Sequence, residues 1–330
     1  MFKKVLDTYT GNMPLWVVTL GVIAWFVPGP FELMAKKMNW FFALTMFGIG
    51  VVLSPADFVR IAKHPRIVFI GSVAQFTVMP FGAYIIAKAL HLPAEIAVGL
   101  ILAGSAPGAM ASNVMSYIAK ADTAYSVSLT TVSTLLCAVL TPALTKLLAG
   151  AILPISFMKM FSMVMLMVIV PLLAGFTVRL LLGRKLTKIL PVFPAISVTF
   201  IIFICSVVIA MNKSRFVSLS GTEITSILLP ALIAVVVLNI YGSAMGFFIA
   251  KLFGFSVPQQ RTLAIEIGMQ NAGLGTVLAV NMFGAQAAIP TAIFVFVCII
   301  TASILTKIWR KNDAGKAEKT AAQKQTPLSC

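Results

Sequence analysis

From Pro14 to Ile308 this chain is a series of apolar runs of membrane-spanning length, joined by short connectors that hold nearly all of its charge. A helix needs about 17–25 predominantly apolar residues to cross the hydrocarbon core. Such runs read at 14–30, 38–53, 67–90, 94–119, 123–149, 157–182, 191–211, 226–252, 258–283 and 287–308. The sequence therefore predicts an all-α polytopic membrane protein with ten transmembrane helices. The second run is short, and 54–66 beside it reads as an interfacial helix. Charged residues make up 10% of the chain, against about 25% in a soluble domain. The net charge of +16 does not point to nucleic acid, because Lys and Arg lie in the turns and the C-terminal end rather than on one basic face. In a membrane protein such an excess reports topology and contact with anionic lipid.

Ten spans place both termini on one side. Lys3, Lys4, Arg60, Lys63, Arg66, Lys120, Arg179, Arg184, Lys185, Lys188, Lys251, Arg261 and the basic C-terminal end fall on that side. Lys36, Lys37, Lys88, Lys146, Lys159, Lys213 and Arg215 fall on the other. The positive-inside rule then predicts a multi-pass protein of the cell (inner) membrane with both termini in the cytoplasm. Residues 1–309 read as the membrane domain, and 310–330, rich in Lys, Ala and Gln, as a disordered cytoplasmic tail. No cleavable signal is expected ahead of the first span. Cys137, Cys205, Cys298 and Cys330 have no metal-ligand spacing and read as small hydrophobes.

One acidic residue breaks the pattern. Of the nine in the chain, Glu266 alone lies in the middle of a long apolar segment. A carboxylate at the bilayer midplane costs about 2.5–3.5 kcal/mol on insertion scales, so it requires a partner. No Lys or Arg lies deep in any apolar run, and a bound cation is the obvious candidate.

The two halves of the chain resemble each other. Ile86-Ala87-Lys88 followed by Pro93 recurs as Ile249-Ala250-Lys251 followed by Pro258. After each proline come an apolar half-helix, a glycine-rich break and a second half-helix. The first break is Gly104-Ser105-Ala106-Pro107-Gly108, with Ser112 and Asn113 beyond; the second is Gly268-Met269-Gln270-Asn271-Ala272-Gly273. Five spans per half is odd, so the second half enters from the opposite side, which gives two inverted five-helix repeats and the layout of a secondary transporter. Proline and glycine free backbone groups at membrane depth, where they are tolerated only if buried in protein or lining a cavity. Freed carbonyls can coordinate a cation, and half-helix N-termini can receive an anion. Ser126 and Thr130 share one face of the fifth span. Gln75 in the third span could bond a neighbouring helix or offer a carbonyl oxygen to sodium.

Other classes lack their residues. An intramembrane protease needs a Ser–His pair, two aspartates or a histidine cluster, whereas His64 and His91 sit at span ends and Asp57 and Asp122 in connections. No catalytic residue and no enzyme activity are expected. A cation/proton antiporter of similar crossed-helix architecture is the alternative, and it would want a midplane aspartate that this chain lacks.

Together these motifs resemble the bile acid:sodium symporter family, through about residue 309. The resemblance is carried by Ala111-Ser112-Asn113-Val114-Met115, Ser126 to Thr130, and Glu266-Ile267-Gly268-Met269-Gln270-Asn271, with Ser54-Pro55-Ala56-Asp57-Phe58, Ala74-Gln75-Phe76 and Met79-Pro80 in support. It implies a panel domain (spans 1, 2, 6 and 7) and a core domain (spans 3–5 and 8–10), with helices 4 and 9 broken and crossing. It also implies two co-transported Na+ ions. Ser112, Asn113, Ser126, Thr130 and Glu266 would hold one; Gln75, Gln270, the Glu266 carboxylate and the Ile267 and Met269 carbonyls would hold the other. Bacterial members of the family carry bile acids or small organic acids such as pantoate, a pantothenate precursor, and 2-keto acids. The last span offers few polar anchors for a steroid, only Thr291, Thr301, Ser303 and Thr306 besides Cys298, and Met110 precedes Ala111-Ser112-Asn113. Both lean toward a small carboxylate, received at Met110, Ala111, Ser112, Asn271 and Ala272. The expected partners are that organic anion, sodium and membrane lipid, for a monomeric protein.

Overall fold

A computed structural model describes residues 6, 8–9, 13–186, 189–190, 192–218 and 221–325, the last helix by its backbone alone after Asp313. Lys3, Lys4 and Lys188, which entered the charge comparison, lie outside the described residues, as does the chain after Gln325. Regular structure among the described residues is helical, apart from one isolated antiparallel bridge. The first half comprises α1 (Met13–Phe26), α2 (Pro28–Ala35), α3 (Met38–Val52), α4 (Pro55–Lys63), α5 (Pro65–Ala89), α6 (Ala94–Ser105), α7 (Ala111–Ile118) and α8 (Thr123–Ala149). Then follow α9 (Phe157–Val164), which runs through a π-helical turn into α10 (Val170–Leu182), α11 (Val192–Ser218), α12 (Gly221–Leu252), α13 (Val257–Gly268), α14 (Ala272–Phe283) and α15 (Ala288–Gln325).

Among the described residues, six helices are long and apolar enough to cross a membrane alone, or eight if each of two bent pairs forms one span. This is a multi-pass membrane protein. The expected first span, 14–30, is not one straight helix. It ends at Phe26, and the chain turns by 103° into α2, because Val27 precedes Pro28 and is driven out of the helical region. A second bend, of 72°, separates α3 from α4. There Ser54 and Asp57 form a capping box, the Ser54 amide and hydroxyl donating to Asp57 Oδ2 at 2.9 and 2.8 Å. No residue of α4 is buried, which fits the interfacial position expected of 54–66. The runs expected at 94–119 and 258–283 are each two half-helices around a break.

Two stretches match in detail. Helices α5 and α12 end at Ala89 and Leu252, α6 and α13 begin at Ala94 and Val257, and these end at Ser105 and Gly268, all at one constant interval. The connectors share their hydrogen bonds: Leu92 N–H to Ala87 C=O at 3.0 Å and His91 N–H to Lys88 C=O at 3.1 Å, then Phe255 to Ala250 at 2.9 Å and Gly254 to Lys251 at 3.1 Å. Each uses a positive φ, 48° at His91 and 73° at Gly254. The same chain reversal thus precedes both breaks.

Elsewhere α3 and α10 lie backbone to backbone. A Cβ on Gly50 would collide with the Leu172 carbonyl, and one on Gly175 with that of Phe47. Only paired glycines permit so close an approach. Around the two breaks pack α5, α8, α12, α13 and α15, burying α6 from Ile96 through Ser105 and α13 from Arg261 through Gly268.

Candidate functional site

After Ser105 the chain leaves the helix at Ala106 (φ −71°, ψ 157°), since Pro107 can neither donate to nor follow the helical ladder. After Gly268 it extends at Met269 (φ −114°, ψ 94°). The two extended segments meet. Gly108 and Gln270 form an antiparallel bridge, with Ala109 N–H donating to Met269 C=O at 2.9 Å and Asn271 N–H to Pro107 C=O at 2.7 Å.

Side chains from neighbouring helices take up other freed backbone groups, as burial demands. Ser133 Oγ accepts from Gly108 N–H (3.2 Å), Thr141 donates to the Ser105 carbonyl (2.6 Å), and Gln75 Nε2 to that of Ala106 (3.4 Å). At the second break Gln270 Nε2 donates to the Ile267 carbonyl (2.8 Å) and Asn239 Nδ2 to that of Gly268 (2.7 Å). Sequence reasoning missed Ser133, Thr141 and Asn239. A signal existed for the first two: with Ser126 and Thr130 they lie on one face of α8.

The bridge brings Glu266 against α7 and α8. Its carboxylate, 1% exposed, accepts from Ser112 Oγ at 2.5 Å and Ser126 Oγ at 3.0 Å through Oε2, and from Thr130 Oγ1 at 2.6 Å through Oε1. Gly108 closes the cage: a Cβ there would collide with Glu266 Oε1. Each hydroxyl has one proton, yet oxygens compete for it. Ser112 Oγ is also 2.7 Å from the Ala109 carbonyl, and Thr130 Oγ1 is 2.9 Å from the Ser126 carbonyl and 3.3 Å from Asn113 Oδ1. A cluster of hard oxygens with more acceptors than protons and a single formal charge suits a monovalent cation.

Among the described residues no basic side chain serves Glu266. Arg261 lies at a span end, near the start of α13, and is buried there, at 9% exposure. Its guanidinium is held by Asp313 through two bonds of 2.7 and 2.8 Å, by the Ala119 carbonyl at 3.3 Å, and over the Trp309 ring at 5.7 Å. The sequence could not show this, because Asp313 lies beyond the last apolar run.

A second group adjoins the first. Gln75 Nε2 donates to Gln270 Oε1 at 2.6 Å, while Gln75 Oε1, buried, has no hydrogen-bond partner. Both roles considered for Gln75 are thus open to it at once. Ile267 and Met269 carbonyls each accept one bond and keep a lone pair. No direct hydrogen bond joins this pair of amides to Glu266.

Of the residues expected to receive an anion, Ser112 is fully buried on Glu266, Met110 is half-buried and Ala111 exposed at the start of α7. Asn271 is half-buried, and its Oδ1 caps α14 by accepting from Leu274 N–H at 3.1 Å. Ala272 is buried, its amide donating to the Gln270 carbonyl at 2.7 Å. The amides of Met110, Ala111 and Gly273 make no hydrogen bond among the described residues.

The model of the sodium bile acid symporter family matches residues 40–219. An uncharacterized sodium-dependent transporter of Bacillus subtilis (strain 168), YocS, is 38% identical over 329 residues, covering 100% of this chain and 99% of that protein. The chain belongs to the sodium bile acid symporter family. Other relatives in it are plant proteins named probable sodium/metabolite cotransporter BASS1, chloroplastic. That of Arabidopsis thaliana is 32% identical over 91% of this chain and 73% of its own length, and that of Oryza sativa subsp. japonica 33% identical over 96% and 77%. Family and relatives are sodium-dependent transporters, and the antiporter alternative finds no support among them.

Proposed function

We propose that this chain is a sodium-coupled symporter that imports a small organic anion across the cell membrane by alternating access. The observation that carries the reading is the Glu266 carboxylate, buried in a cage of three hydroxyls without a basic partner among the described residues. One sodium ion is assigned to Glu266, Ser112, Ser126, Thr130 and Asn113. A second is assigned to Gln75, Gln270, the Glu266 carboxylate and the carbonyls of Ile267 and Met269. With α6–α7 and α13–α14 each counted as one broken span and each bent pair as one, the chain has ten spans, both termini cytoplasmic. The matched connectors support two inverted repeats, in which the broken spans cross within a core that moves against a panel.

The anion's carboxylate is assigned to the N-terminal ends of α7 and α14, where partial positive charge and unengaged amides meet. The inward-facing hydroxyls of α15 favour a small substrate over a steroid. Thr291 accepts from Thr276 at 2.9 Å and Thr306 is buried, so neither lines a cleft. The test has two readouts. Sodium should raise the melting temperature of the detergent-solubilised protein by mass action, with potassium far less effective. Proteoliposomes with an imposed sodium gradient should take up small 2-keto or hydroxy acids in preference to bile salts. Equal stabilisation by both ions would end the sodium assignment; selective bile-salt uptake would end the substrate assignment.

A further inference from the structure

Among the described residues, two buried side-chain carbonyl oxygens have no hydrogen-bond partner: Gln75 Oε1 and Asn239 Oδ1. Native proteins rarely leave such groups bare, and a specific exception calls for a cause such as an ion. The orientation of Asn239 is settled by chemistry. The Gly268 carbonyl can only accept, so the amide nitrogen faces it, at 2.7 Å, and the oxygen is the end left over. Asn239 is 1% exposed.

Its surroundings are the second break. Asn239, Gly242 and Ser243 lie on one face of α12, the face that packs on the end of α13. A Cβ on Gly242 would come 3.3 Å from the Ile267 carbonyl oxygen, and one on Gly268 would collide with Ser243 Oγ. In the matched stretch Gln75 holds nearly the same place. Met79 and Gly242 correspond across the interval shared by the helix ends; Gln75 precedes Met79 by one turn, and Asn239 precedes Gly242 by one turn. Each amide belongs to the long helix before a broken span, each donates an N–H to a carbonyl where the first half-helix gives way (Gln75 to Ala106, just past its end, and Asn239 to Gly268, its last residue), and each leaves its oxygen bare.

We propose that Asn239 Oδ1 is an oxygen ligand of the cation held at the second break, the counterpart of Gln75 in the other half. The proposal rests on the reading that sodium binds at the breaks. Asn239 thereby does two things: its N–H fixes the Gly268 carbonyl, and its oxygen joins the ion's shell.

The test is the sodium dependence of the melting temperature of the full chain in detergent, for wild type, Asn239→Leu and Asn239→Asp. Leucine has similar bulk and no oxygen, and should raise the half-saturating sodium concentration about tenfold or more. Aspartate keeps an oxygen and loses the N–H, and should titrate at or below the wild-type midpoint. A residue that only caps Gly268 gives another pattern: both variants melt lower without sodium, and both titrate at the wild-type midpoint. That result overturns the proposal. Should Asn239→Leu fail to fold, Asn239→Ala removes the oxygen without adding bulk and carries the same expectation. A wild-type chain indifferent to sodium removes the underlying ion reading as well; a sodium-responsive wild type with an unchanged leucine midpoint removes this proposal alone.

Discussion

At the first break the chain leaves the helix at a proline and a glycine and contributes neutral oxygens; at the second it does so without a proline and contributes the one carboxylate. Pro107 removes a donor and forces Ala106 into extended geometry whatever surrounds it. At the second break the carbonyls of Ile267 and Gly268 are held open by amides, Gln270 from within and Asn239 from another helix. Local covalent chemistry therefore forces the first break, which Ser133, Thr141 and Gln75 then satisfy, whereas the second has no such residue and depends on side-chain amides to stay open. The charge sits on the half whose shape depends on its neighbours, so occupancy of the cage by an ion is best placed to be felt there.

The contrast can be broken outright at Glu266. Glu266→Gln removes the charge with nearly the same shape, and should leave a folded protein with neither sodium-specific stabilisation nor sodium-driven uptake. Normal uptake by this variant would refute its assignment. A sharper cut compares the glycines on either side. A methyl at Gly108 meets the Glu266 carboxylate, whereas one at Gly268 meets the Ser243 hydroxyl, which a χ1 rotation can move aside. Gly108→Ala should therefore raise the half-saturating sodium concentration by about tenfold or more, and Gly268→Ala by clearly less. Equal effects would mean that the two halves are equally rigid. The smallest expected change is at Asn271. Asn271→Ala should weaken apparent substrate affinity roughly fivefold, the equivalent of about 1 kcal/mol for one hydrogen bond, with sodium stabilisation retained. If sodium binding were lost and substrate affinity kept, Asn271 would belong with the ion ligands.

Much of the site was legible because membrane depth makes each polar residue conspicuous. Glu266, Ser126, Thr130 and Gln75 stand out in apolar runs, and Pro107 with Gly108 announces its own break. The second break was readable only by analogy with the first, since Met269-Gln270-Asn271 contains no residue that must end a helix. Ser133 and Thr141 share the face of Ser126 and Thr130, but a hydroxyl in a membrane helix ordinarily bonds its own backbone, and only the crossing shows which freed carbonyl and amide they serve. Asn239 gave no such signal, because its partner lies 29 residues on in another helix. The bend after Phe26 was written in Pro28 and Pro30, which an apolar count passes over.

The cage around Glu266 also has an order in time. Chains are made from the N-terminus, and early segments settle first. Ser112, Ser126 and Thr130 have all been synthesised when Glu266 emerges, so the carboxylate can enter the bilayer straight onto its hydroxyls. Arg261 is in the opposite position, because Asp313 comes 52 residues later. A nascent chain halted after its second broken span holds an acid that is already met and a base still waiting, and the final helix closes the molecule by supplying what that base lacks.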